Sequence, residues 1–361
     1  MQPSNSQKGG NGQRKLALTR SILPESLVGR FFGVGSLVEA VIDDAQEYVL
    51  GLAMPYAYQR PEDPKEDMIR QFGALLKGFE DEGTFIYDAS FDAYCEMLSS
   101  EDPLLPLPEN FRSTYTLLRG RSIPYFKTEH TAPSTMCYSI RGIDGKQDLT
   151  PQMFRFFSAL MSRVARGYQK HFAYSVENLV ICQDDPSFGF VAEAIKVGNA
   201  PGLTARQMMK ATDSIYPEGV IPAYHYCYDW RILEEDGTHL IWQSKPKITH
   251  LDLLTYPPVI DQAQAELINK FLDLGGCIAL GILPNVDTAY HESVIEYFSK
   301  SLRTTLSRLA SAGVNMDLMQ ENCMVSTQCG LSGGTPALSR EIHLLDKRYS
   351  EITIEMLNEY R

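Results

Sequence analysis

Three side chains in this 361-residue sequence have the types and spacing to do metal chemistry. His225 and Cys227 stand two apart in Tyr224-His225-Tyr226-Cys227-Tyr228, so on an extended strand both project from one face and can reach one ion. A third donor, Cys329, lies in Ser326-Thr327-Gln328-Cys329-Gly330-Leu331-Ser332-Gly333-Gly334, a thiol followed by flexible backbone. One imidazole and two thiolates form a zinc-type donor set, soft enough to select zinc over magnesium or calcium. A structural finger closes its site with paired C-x-x-C or similar motifs, whereas three dispersed ligands leave a coordination position open for chemistry. The competing reading is packing, because a buried cysteine commonly serves as a small hydrophobe and an isolated histidine as a satisfied core residue. A second cysteine in a loop after another expected strand end tips the balance toward metal.

Those residues need a scaffold, and the rest of the chain supplies its pattern. With 44% hydrophobic and 22% charged residues the chain can bury a large core. Lys plus Arg total 33 against 45 Asp plus Glu, a formal charge of -12, which leaves no broad basic face for nucleic acid. The apolar runs fall short of the roughly 20 residues of a membrane helix, so the expectation is a soluble protein with no membrane partner. Residues 1–20 are polar, rich in Gly, Gln and Ser, and lack a secretory apolar stretch, so they read as a flexible tail. Seven widely spaced cysteines suit reduced thiols in a cytoplasm.

Short β-branched or aromatic runs alternate with longer stretches of helical spacing. The pattern predicts strands at 30–34, 84–87, 123–128, 179–182, 220–224, 248–251, 277–280 and 322–325, and helices including 65–79, 150–170, 258–274 and 292–312. In 150–170, Met153, Phe156, Phe157, Leu160, Met161 and Val164 form one apolar stripe behind a Thr150-Pro151 start suited to capping. Eight strand–helix units over roughly 250–350 residues match a single-domain α/β (β/α)8 TIM barrel spanning 21–361. An open doubly wound sheet fits less well, since Gly33-Val34-Gly35 lacks the third glycine of a dinucleotide-binding turn. In a barrel the chemistry sits after the strands' C-terminal ends, where His225, Cys227 and Cys329 all fall.

Taken with their neighbours, these residues resemble a known family. Tyr224 to Tyr228 is similar to the H-x-C zinc motif of cobalamin-independent methionine synthase, and Gln328-Cys329-Gly330-Leu331 to its D-C-G-L segment. Gln183-Asp184-Asp185-Pro186-Ser187 resembles its D-E-P-A, Ala132-Pro133-Ser134-Thr135 its G-P-V-T, and Gly33-Val34-Gly35-Ser36 its I-G-S. Five motifs in order, from about Gly33 to Arg340, resemble the catalytic barrel within the methionine synthase and uroporphyrinogen decarboxylase superfamily; the family's N-terminal second barrel has no counterpart.

The resemblance implies a zinc-dependent thiol methyltransferase of methionine biosynthesis. Ser36, Glu62 and Asp184 would hold the amino-acid end of homocysteine while His225, Cys227 and Cys329 hold zinc. Arg60-Pro61 replaces the H-G that usually precedes the glutamate matched by Glu62. Asp252 stands where the family has its zinc-binding glutamate and is one methylene shorter; His250, two residues earlier, is a substitute donor. On residue type alone, Asp184 and Asp185 also read as helix caps and Glu62 as a solvated acid. The family's D-I-H-S histidine, which protonates a leaving folate, is missing from Gly281-Ile282-Leu283-Pro284-Asn285-Val286-Asp287. The expected donor is therefore a methyl-corrinoid protein, with methyltetrahydrofolate as the other candidate. Two further readings stay open: a metal-free uroporphyrinogen decarboxylase-like enzyme using Arg30, and a non-catalytic homocysteine-binding barrel. The proline-marked segment 101–119 reads as an insertion over the barrel mouth.

Overall fold

The computed structural model describes residues 21–38 and 42–360, so the expected tail at 1–20 lies outside the described residues. Its strands are β1 Ile123–Thr131, β2 Val176–Asp185, β3 Ile221–Tyr226, β4 Glu234–Glu235, β5 Thr238–His239, β6 Ile248–Asp252, β7 Cys277–Leu283 and β8 Cys323–Thr327. β4 and β5 form a separate antiparallel ribbon. The other six make one curled parallel sheet in the order β1-β2-β3-β6-β7-β8. Sheet order follows chain order, and parallel neighbours require crossovers, which helices provide except between β3 and β6, where the β4–β5 ribbon and the 3-10 turn Leu240–Gln243 make the connection.

The regular sheet thus holds six strands where the sequence predicts eight. Around 30–34, Phe31 makes an isolated parallel bridge to Val325, and further along Ser36 bridges Gln59. Two glycines explain the interruption: a Cβ on Gly33 would meet the Tyr56 ring at 2.1 Å, and one on Gly35 the Glu129 carboxylate at the same distance. Residues 84–87 are not in the sheet. Ile86 bridges Glu80 and Arg141 instead, and the place beside β1 goes to Tyr56, bridged to Lys127. That segment carries Pro55, whose carbonyl accepts the Lys127 N–H at 2.9 Å but which donates nothing to a ladder.

Alternation along the strands sorts side chains onto two faces. Leu179, Ile181, Tyr224, Leu251, Ile278 and Val325 pack outward against helices. Val180, Cys182, Ala223, Ile248, Cys277, Ala279 and Met324 form an inner cluster with Phe32 and Met54. This inner layer plugs the curl below the strand ends and forms the floor of the site.

Helix Pro151–Phe172 follows its sequence signature: Thr150 Oγ1 accepts the Met153 N–H, and Phe156, Phe157, Leu160, Met161 and Val164 are buried. Gln262–Asp273 and Val294–Ala312 also match, the latter through a Ser293–Glu296 capping box. The helix expected at 65–79 is broken into a 3-10 turn at Pro64–Glu66 and the single turn Arg70–Gly73. Gly73 lies against the Phe79 ring, where a Cβ would stand at 2.4 Å. The start of the 101–119 segment does not cross the mouth; it lies along helix Pro151–Phe172, with Leu104 N donating to Arg163 O and Arg163 Nε to Asp102 O. Among the described residues, no helix is long and apolar enough to cross a membrane.

Gly167 makes this last contact possible, since a Cβ there would lie 1.8 Å from Leu104 O. Helix propensity alone makes Gly167→Ala stabilising by about 0.5–1 kcal/mol. The backbone clash dominates, and urea unfolding followed by circular dichroism is expected to show a net loss of about 1–3 kcal/mol; a gain would contradict the packing.

Candidate metal centre

The parallel register puts three inner-face residues on one level. Asp184 of β2 lies opposite His225 of β3, and His225 opposite His250 of β6. Cys227 follows β3 one step further out, and Cys329 enters from the loop after β8. Ligand atoms of His225, Cys227 and Cys329 all lie within 4.8 Å of one another, so this group could hold a metal ion.

The spacing suits tetrahedral zinc. Two sulfurs each ~2.3 Å from one zinc at a tetrahedral angle stand ~3.8 Å apart, and a nitrogen at ~2.0 Å stands ~3.5 Å from either sulfur. The observed separations are 3.6 Å between Cys227 Sγ and Cys329 Sγ and 3.7 Å between Cys329 Sγ and His225 Nε2. Local electrostatics favour the ligand forms of Cys329 and His225. The hydrogen bond from Cys227 lowers the Cys329 thiol, and the same bond, with burial, raises Cys227, so Cys329 ionises first. Burial and the neighbouring His250 and Lys127 keep His225 neutral, as ligation requires.

Behind His225 stands His250, with the two Nδ1 atoms 2.5 Å apart. His250 Nε2 lies 2.8 Å from Thr327 O, and its ring stacks on Phe32 at 5.8 Å between centroids. His250 is therefore not brought to the metal position as a substitute donor.

Of the other expected residues, Asp184 and Ser36 are brought to the centre. Asp184 Oδ1 lies 3.9 Å from His225 Nε2 and has no hydrogen-bond partner. Ser36 packs against the Cys329 loop: its carbonyl accepts the Leu331 N–H at 2.8 Å, and a Cβ on Gly330 would meet Ser36 Oγ at 2.1 Å. Capping does not account for the acidic pair. The following helix Phe188–Lys196 has no side-chain cap bond, and Asp185 instead accepts from Ser134, Thr135 and Tyr224.

Glu62 and Asp252 are not brought into the ligand group. Glu62 is exposed, because Arg60 draws the loop together on Asp63 at 2.7 Å and on the buried Glu66 at 2.8 Å. Asp252 stays outside the ligand group: its Oδ1 accepts the Leu254 and Thr255 N–H groups at 3.0 and 2.9 Å, tying the short side chain to its own turn. Arg30, the anion-binding candidate of the decarboxylase reading, pairs with Asp346 at 3.2 Å.

The acid that sequence reasoning missed is Glu129, buried on the inner face of β1. Lys127, fully buried, donates to Val34 O at 2.8 Å and to Glu129 Oε1 at 3.4 Å, while Glu129 Oε2 has no partner. Burial, only partly offset by Lys127, pushes Glu129 up to about 8 and Asp184 up to about 7. The signal was present in Lys127-Thr128-Glu129, where two charges at spacing two share one face of a strand that ought to be apolar on both. Beside Cys227 runs a train of partly exposed rings, Tyr138–Phe190 at 5.2 Å, Phe190–Tyr228 at 6.2 Å and Tyr228–Tyr256 at 6.0 Å.

No protein-family model and no curated protein matches this sequence.

The raised Glu129 carboxyl has a measurable consequence. Between the ordinary carboxylate range and pH 8 the folded state holds a proton that the unfolded chain has released, so this group's contribution to stability falls as pH rises. Glu129→Gln removes that proton exchange. Unfolding free energies measured from pH 5 to 8 are expected to fall more steeply in the wild type than in the variant; parallel curves would contradict the buried, proton-holding state.

Proposed function

We propose that this chain is a zinc-dependent methyltransferase of the cobalamin-independent methionine synthase type, moving a methyl group from a corrinoid or folate donor to a thiol such as homocysteine. We read the scaffold as a (β/α)8-type barrel in which the irregular segments around Phe31 and Tyr56 take the places of two strands. The observation that carries the proposal is the convergence of His225, Cys227 and Cys329 at zinc-ligand spacing on the C-terminal side of a parallel sheet.

A zinc ion held by these three residues would keep a substrate thiol ionised at neutral pH. The chain's own residues then account for the rest. Asp184 Oδ1 and Glu129 Oε2, both without partners, suit an ammonium group, whose charge would displace the protons that burial otherwise holds there, and Ser36 adds a hydroxyl beside the Cys329 loop. Glu129 takes the role that the resemblance assigned to Glu62. In the reaction the thiolate sulfur bonds to the methyl carbon as the donor's bond to that carbon breaks. Holding the two in line removes the entropic cost of a chance encounter. With cobalt as leaving atom the bonding pair stays on the metal, whereas a folate nitrogen needs a proton. The loop 281–287 offers no histidine for that proton, which favours the corrinoid. The exposed rings of Phe190 and Tyr228 beside Cys227 suit a flat conjugated donor.

Protein purified without chelator is expected to carry one zinc per chain and to methylate homocysteine from methylcobalamin. Cys227→Ser and Cys329→Ser should each lose metal and activity by more than the ~10–100-fold that loss of an outer partner costs. Absence of zinc, with both variants as active as the wild type, would overturn the proposal. Faster turnover with methyltetrahydrofolate than with methylcobalamin would reverse the choice of donor.

A further inference from the structure

We propose that His250 is the positioning residue of this centre, fixing His225 in the Nδ1–H tautomer so that its Nε2 lone pair faces the two thiols. The role rests on the reading that the triad binds a metal, but the hydrogen-bond direction does not.

One atom beside His250 has no choice of role. Thr327 O can only accept, so His250 Nε2, 2.8 Å away, carries the proton. A buried imidazole that is bonded only to a carbonyl oxygen and to another imidazole is neutral and has one N–H. His250 Nδ1 is therefore a bare acceptor. It faces His225 Nδ1 at 2.5 Å, where two lone pairs would repel, so His225 Nδ1 donates. With its one N–H used at Nδ1, His225 has Nε2 unprotonated and 3.7 Å from Cys329 Sγ. The bare nitrogen thus points where the sulfurs converge, as a ligand must.

The surrounding residues leave room for this ring. His250 sits level with Ala279 of β7, and a Cβ on Gly281 would meet Leu251 O at 2.4 Å and His250 Nε2 at 3.2 Å. Two small neighbours leave the width of an imidazole, and Phe32 closes the far side. The chain of bonds also returns to the metal loop. Thr327 Oγ1 donates to Cys329 O at 2.7 Å, so the residue that orients His250 also holds the backbone carrying the third ligand. His225 on β3 and Cys329 in the loop after β8, two strands that are not neighbours, are tied through one hydrogen-bonded path. Nothing in this path requires the ring of His250 to touch substrate.

Two measurements on the full chain test it. Long-range 1H–15N correlation of the histidine rings at pH 7.5 is expected to show His225 protonated at Nδ1 and His250 at Nε2; His225 protonated at Nε2 would overturn the assignment, whether or not metal binds. The second compares His250→Gln, whose amide oxygen can accept from His225, with His250→Phe, which fills the space and accepts nothing. Zinc affinity, read by competition with a chromophoric chelator, should fall by ~10–100-fold in the Phe variant and recover in the Gln variant. Equal zinc affinity in wild type and the Phe variant would overturn the role of His250 alone. A wild type that binds no zinc would overturn the metal reading and this role with it. Should the Phe variant fail to fold, the ring correlations on the wild type still decide the tautomer.

Discussion

The register of parallel strands is the constraint on which the site depends. Pairing β2 with β3 and β3 with β6 puts Asp184, His225 and His250 side by side on the inner face, and a slip of one residue would turn all three outward. The inner cluster below them, from Val180 to Met324, holds that register by burying the preceding residues of the same strands. Each polar side chain on this face then faces a desolvation cost, met in a different way. The histidines stay neutral and bond to one another and to a carbonyl. Lys127 and Glu129 pair. Asp184 and Glu129 keep one oxygen each without a protein partner, an expense that a bound ligand would relieve.

Much of this was readable before any coordinates, for identifiable reasons. The H-x-C spacing specifies a shared strand face, so His225 and Cys227 were legible as a pair. Cys329 was legible because a thiol ahead of glycines after a strand has few structural duties. Helix Pro151–Phe172 was legible in detail, since its stripe, its proline and its cap all agree. The missing strands failed for a physical reason as well. The run at 30–34 has the apolar residues of a strand, but Gly33 and Gly35 exist to admit Tyr56 and Glu129, a tertiary demand that no local pattern displays. Met54 to Tyr58 holds a proline and no β-branched residue, so nothing marked it as the neighbour of β1.

Site residues divided along the same line. Asp184 and Ser36 reach the centre because strand or bridge geometry carries them there. Glu62 and Asp252 were assigned by position in a motif, yet Glu62 sits in a loop and Asp252 at the end of β6 beside another, and the hydrogen bonds of those loops decide where each side chain goes. Arg60 organises one loop and the Leu254 and Thr255 amides the other. Glu129 was overlooked because an acid inside a strand reads as solvent-facing, whereas an inward pair with Lys127 makes it part of the site floor. His250 was weighed as a ligand; its register opposite His225 makes it a support instead.

The central claim is that one imidazole and two sulfurs surround a common cation with a position left open. Zinc-edge X-ray absorption on the purified protein addresses it directly. Two sulfur scatterers are expected at ~2.3 Å and nitrogen or oxygen at ~2.0–2.1 Å, with a third sulfur entering the shell when homocysteine is added. A zinc shell of oxygen and nitrogen alone, unchanged by the thiol, would contradict it.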